Sequence, residues 1–293
     1  MLAEMLGQSP YIAHCPFELK DVWSQVAGVP MASPKTRDSI CPECSADDMR
    51  TGQREALTET FRRQLAGCNG KAEGAAFLNK NPHLCNKLPL VKALFPDARF
   101  IWISRDLPQV VASVERLFAD VCRRQQTWHW WPFPSETTRS RCWNAFFSLD
   151  SRPAVSPERI FPGGNIRFIA EYWLESNRAV FDFFNRLPPE SHMEVTEEAV
   201  LADPVNEMAI LAAKLDFPFN ERDQVRDRVD PSRNDQWRCL LDDIQLEVLS
   251  DFIRSHAVGI DGIFSGHGHA SRYLATLGDA SSRQSAYTAP YGG

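Results

Sequence analysis

Two cations in this sequence stand where an apolar run gives way to a helix. Lys80 follows Ala-Ala-Phe-Leu-Asn (75–79), and Arg105 follows Arg-Phe-Ile-Trp-Ile-Ser (99–104). In open α/β sheets, ligands bind beyond the carboxyl ends of the strands. A helix that starts there adds unpaired backbone N–H groups and the positive end of a dipole. Arg105 never loses its charge and can grip an anion through two donors. Ser113, eight residues on, shares a helical face with Val110, Val114 and Leu117, so its hydroxyl is expected to face inward. Together Arg105 and Ser113 read as a phosphate-sized anion site. A plainer reading stays open here: a surface Arg105-Asp106 ion pair with a helix cap, and Ser113 bonded to its own backbone.

The elements that must hold these residues alternate. The apolar runs 75–79 and 99–104 each precede a helix, over 84–95 and 107–118, which predicts a parallel sheet with helices on its faces. Further helices are expected at 2–7, 17–27 and 52–67, the last with Leu57, Phe61 and Leu65 at helical spacing and Gly67 as its stop. A short strand fits 11–14, and residues 28–50 read as loop. Residues 120–165 read as irregular and rich in aromatics, with Trp128, His129, Trp130, Trp131 and Phe133 in one run. Helix returns at 166–187, a strand at 192–195, and helices at 204–215 and 242–256. One domain over 1–277 is expected, with 120–165 as a variable insertion. The small, polar stretch 278–293 is expected to be disordered.

Composition narrows the classes. The 293 residues are 43% hydrophobic and 24% charged, as in ordinary globular proteins. A net charge of −6 argues against a nucleic-acid or anionic-membrane partner, although a local basic pocket remains compatible with it. No apolar run reaches the roughly 18–20 residues that span a bilayer. The first ten residues contain Glu4 and no basic stretch, so a cytoplasmic location is the expectation. Of eight scattered cysteines, Cys41-Pro-Glu-Cys44 has the spacing of half of a possible zinc site. Cys68, His83 and Cys85 are the candidates for the other half; reduced thiols in a loop are the alternative, and no metal is expected.

The segment FPDARFIWISRDLPQVVAS (95–113) resembles the 3′-phosphate-binding segment of the sulfotransferases that use 3′-phosphoadenosine 5′-phosphosulfate (PAPS). That family's pattern is a strand, Arg-Asp-Pro, then Val-Val-x-Ser; here Leu107 intervenes and the proline moves to 108. FLNKNPHLCNKLPLVKALFP (77–96) is similar to the Asn-Lys-Asp-Pro segment of the tyrosylprotein and bacterial branches, with Asn81 in place of the aspartate. YWLESNRAVFDF (172–183) and MEVTEEAVLADPVNEMAILAAKLDFPF (193–219) resemble the family's later helix and its strand–helix unit. LAEMLGQSPYI (2–12) resembles the helix after its nucleotide loop, and SRNDQW (232–237) a loop that in some branches approaches the nucleotide.

The resemblance implies a three-layer α/β sandwich of the P-loop NTPase-like sulfotransferase type, with a central parallel sheet flanked by helices. It implies PAPS as co-substrate, adenosine 3′,5′-bisphosphate as product, and a small-molecule, carbohydrate or peptidyl hydroxyl or amine as acceptor. Arg105 and Ser113 fall on the 3′-phosphate ligands. Lys80 falls on the lysine that would stabilise the transferring group. Glu18 in PFELKDVW is the implied base, with His14 as the competing one. The aromatic run of 128–133 falls where the family builds its acceptor site and lid. The family's Lys/Arg-Ser-Gly-Thr-Thr loop and the strand before it have no counterpart here, since PGGN (162–165) lies in the irregular stretch. A missing first strand and weak activity are therefore expected. The alternative is a non-catalytic descendant that binds a nucleotide or a partner. A P-loop kinase or NTPase is disfavoured because no GxxxxGK[ST] occurs.

Overall fold

A computed structural model describes residues 1–15, 18–29, 43–67, 74–123, 128–134, 141–148, 164–218, 229–264 and 268–287. In chain order the helix α1 (Leu2–Leu6), strand β1 (Ile12–His14), helix α2 (Gln53–Ala66) and strand β2 (Ala76–Leu78) come first. Helix α3 (Leu88–Leu94), strand β3 (Phe100–Ser104), helix α4 (Leu107–Arg123), and strands β4 (Trp128–Pro134) and β5 (Arg141–Ser148) follow. The chain then continues through α5 (Gly164–Phe184), β6 (His192–Thr196), α6 (Glu197–Ala202), α7 (Pro204–Leu215), α8 (Asp243–Asp261) and α9 (His269–Tyr287). The predicted 17–27 helix is reduced to a π-helical turn, Val22–Val26. The predicted 84–95 helix divides into a 3₁₀ turn, Pro82–Leu84, and α3.

Two strand pairs are parallel, as the alternation of elements predicts, but β2 and β3, expected in one sheet, lie in separate two-stranded sheets. β1 lies beside β2 with Ile12 opposite Ala76, and β3 beside β6 with Phe100 opposite His192 and Ser104 opposite Thr196. Successive residues of a strand point to opposite faces, and β3 uses both. Phe100 and Trp102 join one apolar cluster with Leu107 and Val111 of α4, Ile169 and Trp173 of α5, and Phe252 of α8. Ile101 joins a second cluster with Ile12, Leu78 and Val195 of the other strands, Met5 of α1, and Met208 and Leu211 of α7. The protein is thus a mixed α/β structure whose parallel strand pairs are flanked by helices.

Local chemistry sets where the helices start. The Thr196 hydroxyl accepts the Ala199 N–H at 3.1 Å to cap α6, and the Asp203 carboxylate accepts the Asn206 N–H at 3.2 Å to cap α7, with Pro204 in its first turn. Asp242 and Gln245 form a reciprocal capping box for α8. That helix runs past its predicted end at 256, across a kink at His256 (φ −120°, ψ 16°), where Ser255 Oγ bonds back to the Asp251 carbonyl at 2.9 Å.

Two expectations are corrected. Residues 128–148, read as irregular, include an antiparallel pair in which Trp128 faces Ser148 and the register shifts between Trp131 and Phe133. Aromatic residues favour strands, but Pro132, which has no N–H for the ladder, breaks the alternation that would have betrayed one. Residues 278–287, read as disordered, continue α9 to Tyr287. Their small polar composition hid the absence of any proline before Pro290 and the presence of Ala280, Arg283 and Gln284, adequate helix formers.

Candidate active site

The chain leaving β2 reads Asn79-Lys80-Asn81, and each side chain is committed. Asn79 Oδ1 accepts the Trp23 indole N–H at 2.9 Å. Asn81 Oδ1 accepts the His83 N–H at 2.9 Å, capping the 3₁₀ turn, while its Nδ2 donates to the Glu18 carbonyl at 2.9 Å. Lys80 Nζ donates to Glu18 Oε1 at 2.9 Å, so the two residues assigned to catalysis by resemblance are in direct contact. Lys20 Nζ lies 2.9 Å from the other oxygen, Oε2. Between Glu18 and Lys20, Leu19 adopts a left-handed backbone (φ 54°) and packs on the first cluster. A branched side chain there costs about 1 kcal/mol or more.

Burial works to raise the pKa of Glu18, but the hydrogen bonds from Lys80 and Lys20 outweigh it and hold the carboxyl below its usual range. Beneath this triad His83 is buried. Burial first, then the charges of Lys20, Lys87 and Lys80 against the opposing pull of Glu18, depress its pKa from 6.5 to about 3. Lys87 is fully buried at the start of α3, with Nζ 2.9 Å from Asn86 Oδ1. His14, the competing base, is half-buried at the end of β1 opposite Leu78.

The His83 environment has a measurable consequence. The unfolded chain binds a proton on this residue from pH 6.5 downward and the folded one only near pH 3, so acidification across that window favours unfolding. Thermal melts should show stability falling through it, and a His83→Gln variant should show a flatter slope. A slope unchanged by that substitution would refute the assignment.

At the end of β3, Arg105 is four-fifths buried, with its side chain 20% exposed. Its Nε lies 3.3 Å from Glu197 Oε2, and Arg233 Nη2 lies 3.8 Å from Glu197 Oε1. Two guanidiniums thus converge on one carboxylate. The Arg105 contact is ionic only: its buried Nε has no hydrogen bond of good geometry. Nη2 donates to Gln109 Oε1 at 3.3 Å, and Gln109 Nε2 donates to the Asn234 carbonyl at 2.7 Å, tying α4 to the loop that carries Arg233.

The neighbouring residues fix the backbone at this strand end. Trp102 Nε1 donates to Asn177 Oδ1 at 3.2 Å, Asn177 Nδ2 to the Trp173 carbonyl at 2.7 Å, and Trp173 Nε1 to the Arg105 carbonyl at 2.8 Å. Asp106 accepts from Arg272 Nη2 at 2.8 Å and the Tyr273 hydroxyl at 3.0 Å, which docks α9. The Asp106 N–H donates to Glu198 Oε1 at 3.1 Å. Burial, and then the nearby Asp106 charge, push the Glu198 carboxyl up. A cavity of about 90 Å³ opens here, lined by Ser104, Arg105, Thr196, Glu198, Arg272 and Tyr273 among others.

Ser113 departs from expectation. It is exposed, because the inward stripe of α4 runs through Leu107, Val111 and Ala112 rather than through Val110 and Val114, which are only partly buried. Its hydroxyl faces solvent about two turns beyond Arg105. Of the cysteine pair, Cys41 lies outside the described residues. Cys44 is buried, and its N–H donates to the Asn86 carbonyl at 3.1 Å. Among the described residues no group of three His, Cys, Asp or Glu could hold a metal.

Sequence reasoning missed Lys20, Glu197 and Arg233. Lys20 is two residues from Glu18, and Arg233 lies in the SRNDQW loop already singled out. Glu197 follows directly on β6, parallel to β3, so it stands level with Arg105, a relation the pairing creates and no local motif signals.

Parallel strand pairs between helices, with cationic side chains at two strand ends, define an α/β protein. The model of the sulfotransferase family matches residues 1–162, just over half of the chain. The protein belongs to that family. A solved structure described as the sulfotransferase domain from the curacin biosynthetic pathway is similar, at 14% identity and a TM-score of 0.43, over 85% of this chain and 91% of that one. No curated protein matches. Among the described residues no helix is long and apolar enough to cross a membrane.

Proposed function

We propose that this sulfotransferase-family protein transfers the sulfuryl group of PAPS to a hydroxyl or amine acceptor, within a three-layer α/β fold of the family's P-loop-like type. The observation that carries the reading is the convergence of Arg105 and Arg233 on Glu197. Two guanidiniums gathered around one carboxylate mark a place suited to an anion, and the buried Arg105 Nε, in ionic contact with Glu197 but without a hydrogen bond, is a donor a phosphate could use. Arg105, supported by Arg233 and by Ser113 on the solvent-facing side of the helix α4 that follows it, takes the nucleotide's 3′-phosphate. That contact separates PAPS from ATP, whose 3′-hydroxyl is free.

Sulfuryl transfer resembles phosphoryl transfer: an in-line displacement through a loose transition state, served by positioning and charge. The acceptor oxygen forms a bond to sulfur as the bond from sulfur to the nucleotide's 5′-phosphate oxygen breaks. The electron pair of that bond leaves on the phosphate, giving adenosine 3′,5′-bisphosphate. Glu18 takes the acceptor's proton, and Lys80 stabilises charge on the sulfuryl and bridging oxygens. The aromatic-rich β4–β5 hairpin is assigned to the acceptor, a small molecule, carbohydrate or peptide, on the strength of its sequence.

Calorimetry with adenosine 3′,5′-bisphosphate tests the donor site. The Arg105→Ala variant should bind about 30-fold more weakly than the parent, the loss expected for a charge-assisted contact at a partly buried site. Equal affinity in the two proteins would refute the assignment.

A further inference from the structure

Glu18 gives its two carboxylate oxygens to two different lysines, and the two anchors are unequal. Lys80 on Oε1 has a side chain 53% exposed, whereas Lys20 on Oε2 is only 22% exposed. An exposed ion pair holds weakly, because water and side-chain entropy oppose it. The lysine that can swing toward an arriving anion is therefore Lys80, which the reading above requires for the sulfuryl group. Once it leaves, Glu18 would be a half-buried carboxylate in need of another partner.

We propose that Lys20 is a positioning residue of the transfer site, holding Glu18 by Oε2 while Lys80 releases Oε1 to receive the acceptor's proton. This inference rests on the assignment of Glu18 as the base. The backbone is built for such a hold. The left-handed turn at Leu19 separates the two partners, and Asn81 Nδ2 fixes the Glu18 carbonyl at 2.9 Å. The charged groups facing Glu18 are Lys20 and Lys80, and Glu18 also interacts electrostatically with His83, which Lys87 influences in turn. His83 stays neutral near pH 7, so it neither replaces a lysine as anchor nor competes for the proton. Removing Lys20 leaves burial less opposed, so the Glu18 carboxyl titrates at higher pH.

The test is a pH titration of ¹³C-labelled glutamate by NMR, with the Glu18 resonance identified from a Glu18→Gln sample. In Lys20→Met the midpoint should shift upward, and in Lys20→Arg it should return toward the parent value. Lys20→Gln serves in place of the methionine variant if that protein fails to fold. In parallel, kcat for transfer from PAPS to a phenol should fall about tenfold in Lys20→Met, with KM for PAPS little changed and the acidic limb of the profile displaced upward. An unmoved midpoint would overturn the role of Lys20. A midpoint that moves while the acidic limb stays in place would leave Lys20 as the anchor and remove Glu18 as the base.

Discussion

Replacing Glu18 by glutamine should lower kcat about 10²–10⁴-fold, the usual worth of a positioned general base. Affinity for adenosine 3′,5′-bisphosphate should be almost unchanged, since Arg105 sits on a different strand end. Glutamine keeps the shape and the Asn81-to-carbonyl bond but cannot accept the proton. It also releases Lys80 and Lys20 from their ion pairs. Single-turnover transfer to a phenol, with calorimetry on the same preparations, separates the two effects. Turnover equal to that of the parent protein would exclude Glu18 as the base and move attention to His14.

The largest stability effect should come from Trp173→Ala. The side chain is 3% exposed, its ring lies 5.6 Å from Phe264 and 6.3 Å from Tyr273, and its indole N–H holds the Arg105 carbonyl at 2.8 Å. Truncating a buried tryptophan leaves a cavity and costs about 3–5 kcal/mol, here with an orphaned carbonyl at the strand end in addition. Urea melts should show that loss, and the bisphosphate should bind more weakly to the fraction that remains folded. Trp173→Phe keeps a ring in the site but loses the hydrogen bond and part of the indole's volume, so it should cost less, about 1–3 kcal/mol. A Trp173→Ala protein as stable as its parent would contradict the packing described for α5.

Much of the frame was legible because local rules decide it. α7 runs over the residues predicted, since Asp203-Pro204 is a strong start signal. β3 and β6 fall within a residue of expectation because short apolar runs between helices have few alternatives. The β4–β5 hairpin was not legible, because its proline broke the period on which strand reading depends. At the site, Lys80 and Arg105 could be placed by the strand-to-helix junctions they occupy. Glu197 and Lys20 could not, because what matters about them is which side chain they meet. The inward aim expected of Ser113 failed for a related reason: the apolar stripe of α4 can be drawn through 110 and 114 or through 107 and 111, and only tertiary packing chooses between them.

The alternation in β3 makes the length of that strand a stricter requirement than its composition. Phe100 and Trp102 belong to one apolar cluster and Ile101 to the other, and Arg105 inherits its aim from that phase. Exchanging one bulky residue for another in 100–103 would disturb packing yet leave the guanidinium pointing the same way. Deleting or inserting a single residue there would exchange the two faces and turn Arg105 away from Glu197 and Arg233. Natural drift in this segment should accordingly favour changes of side-chain size over changes of chain length.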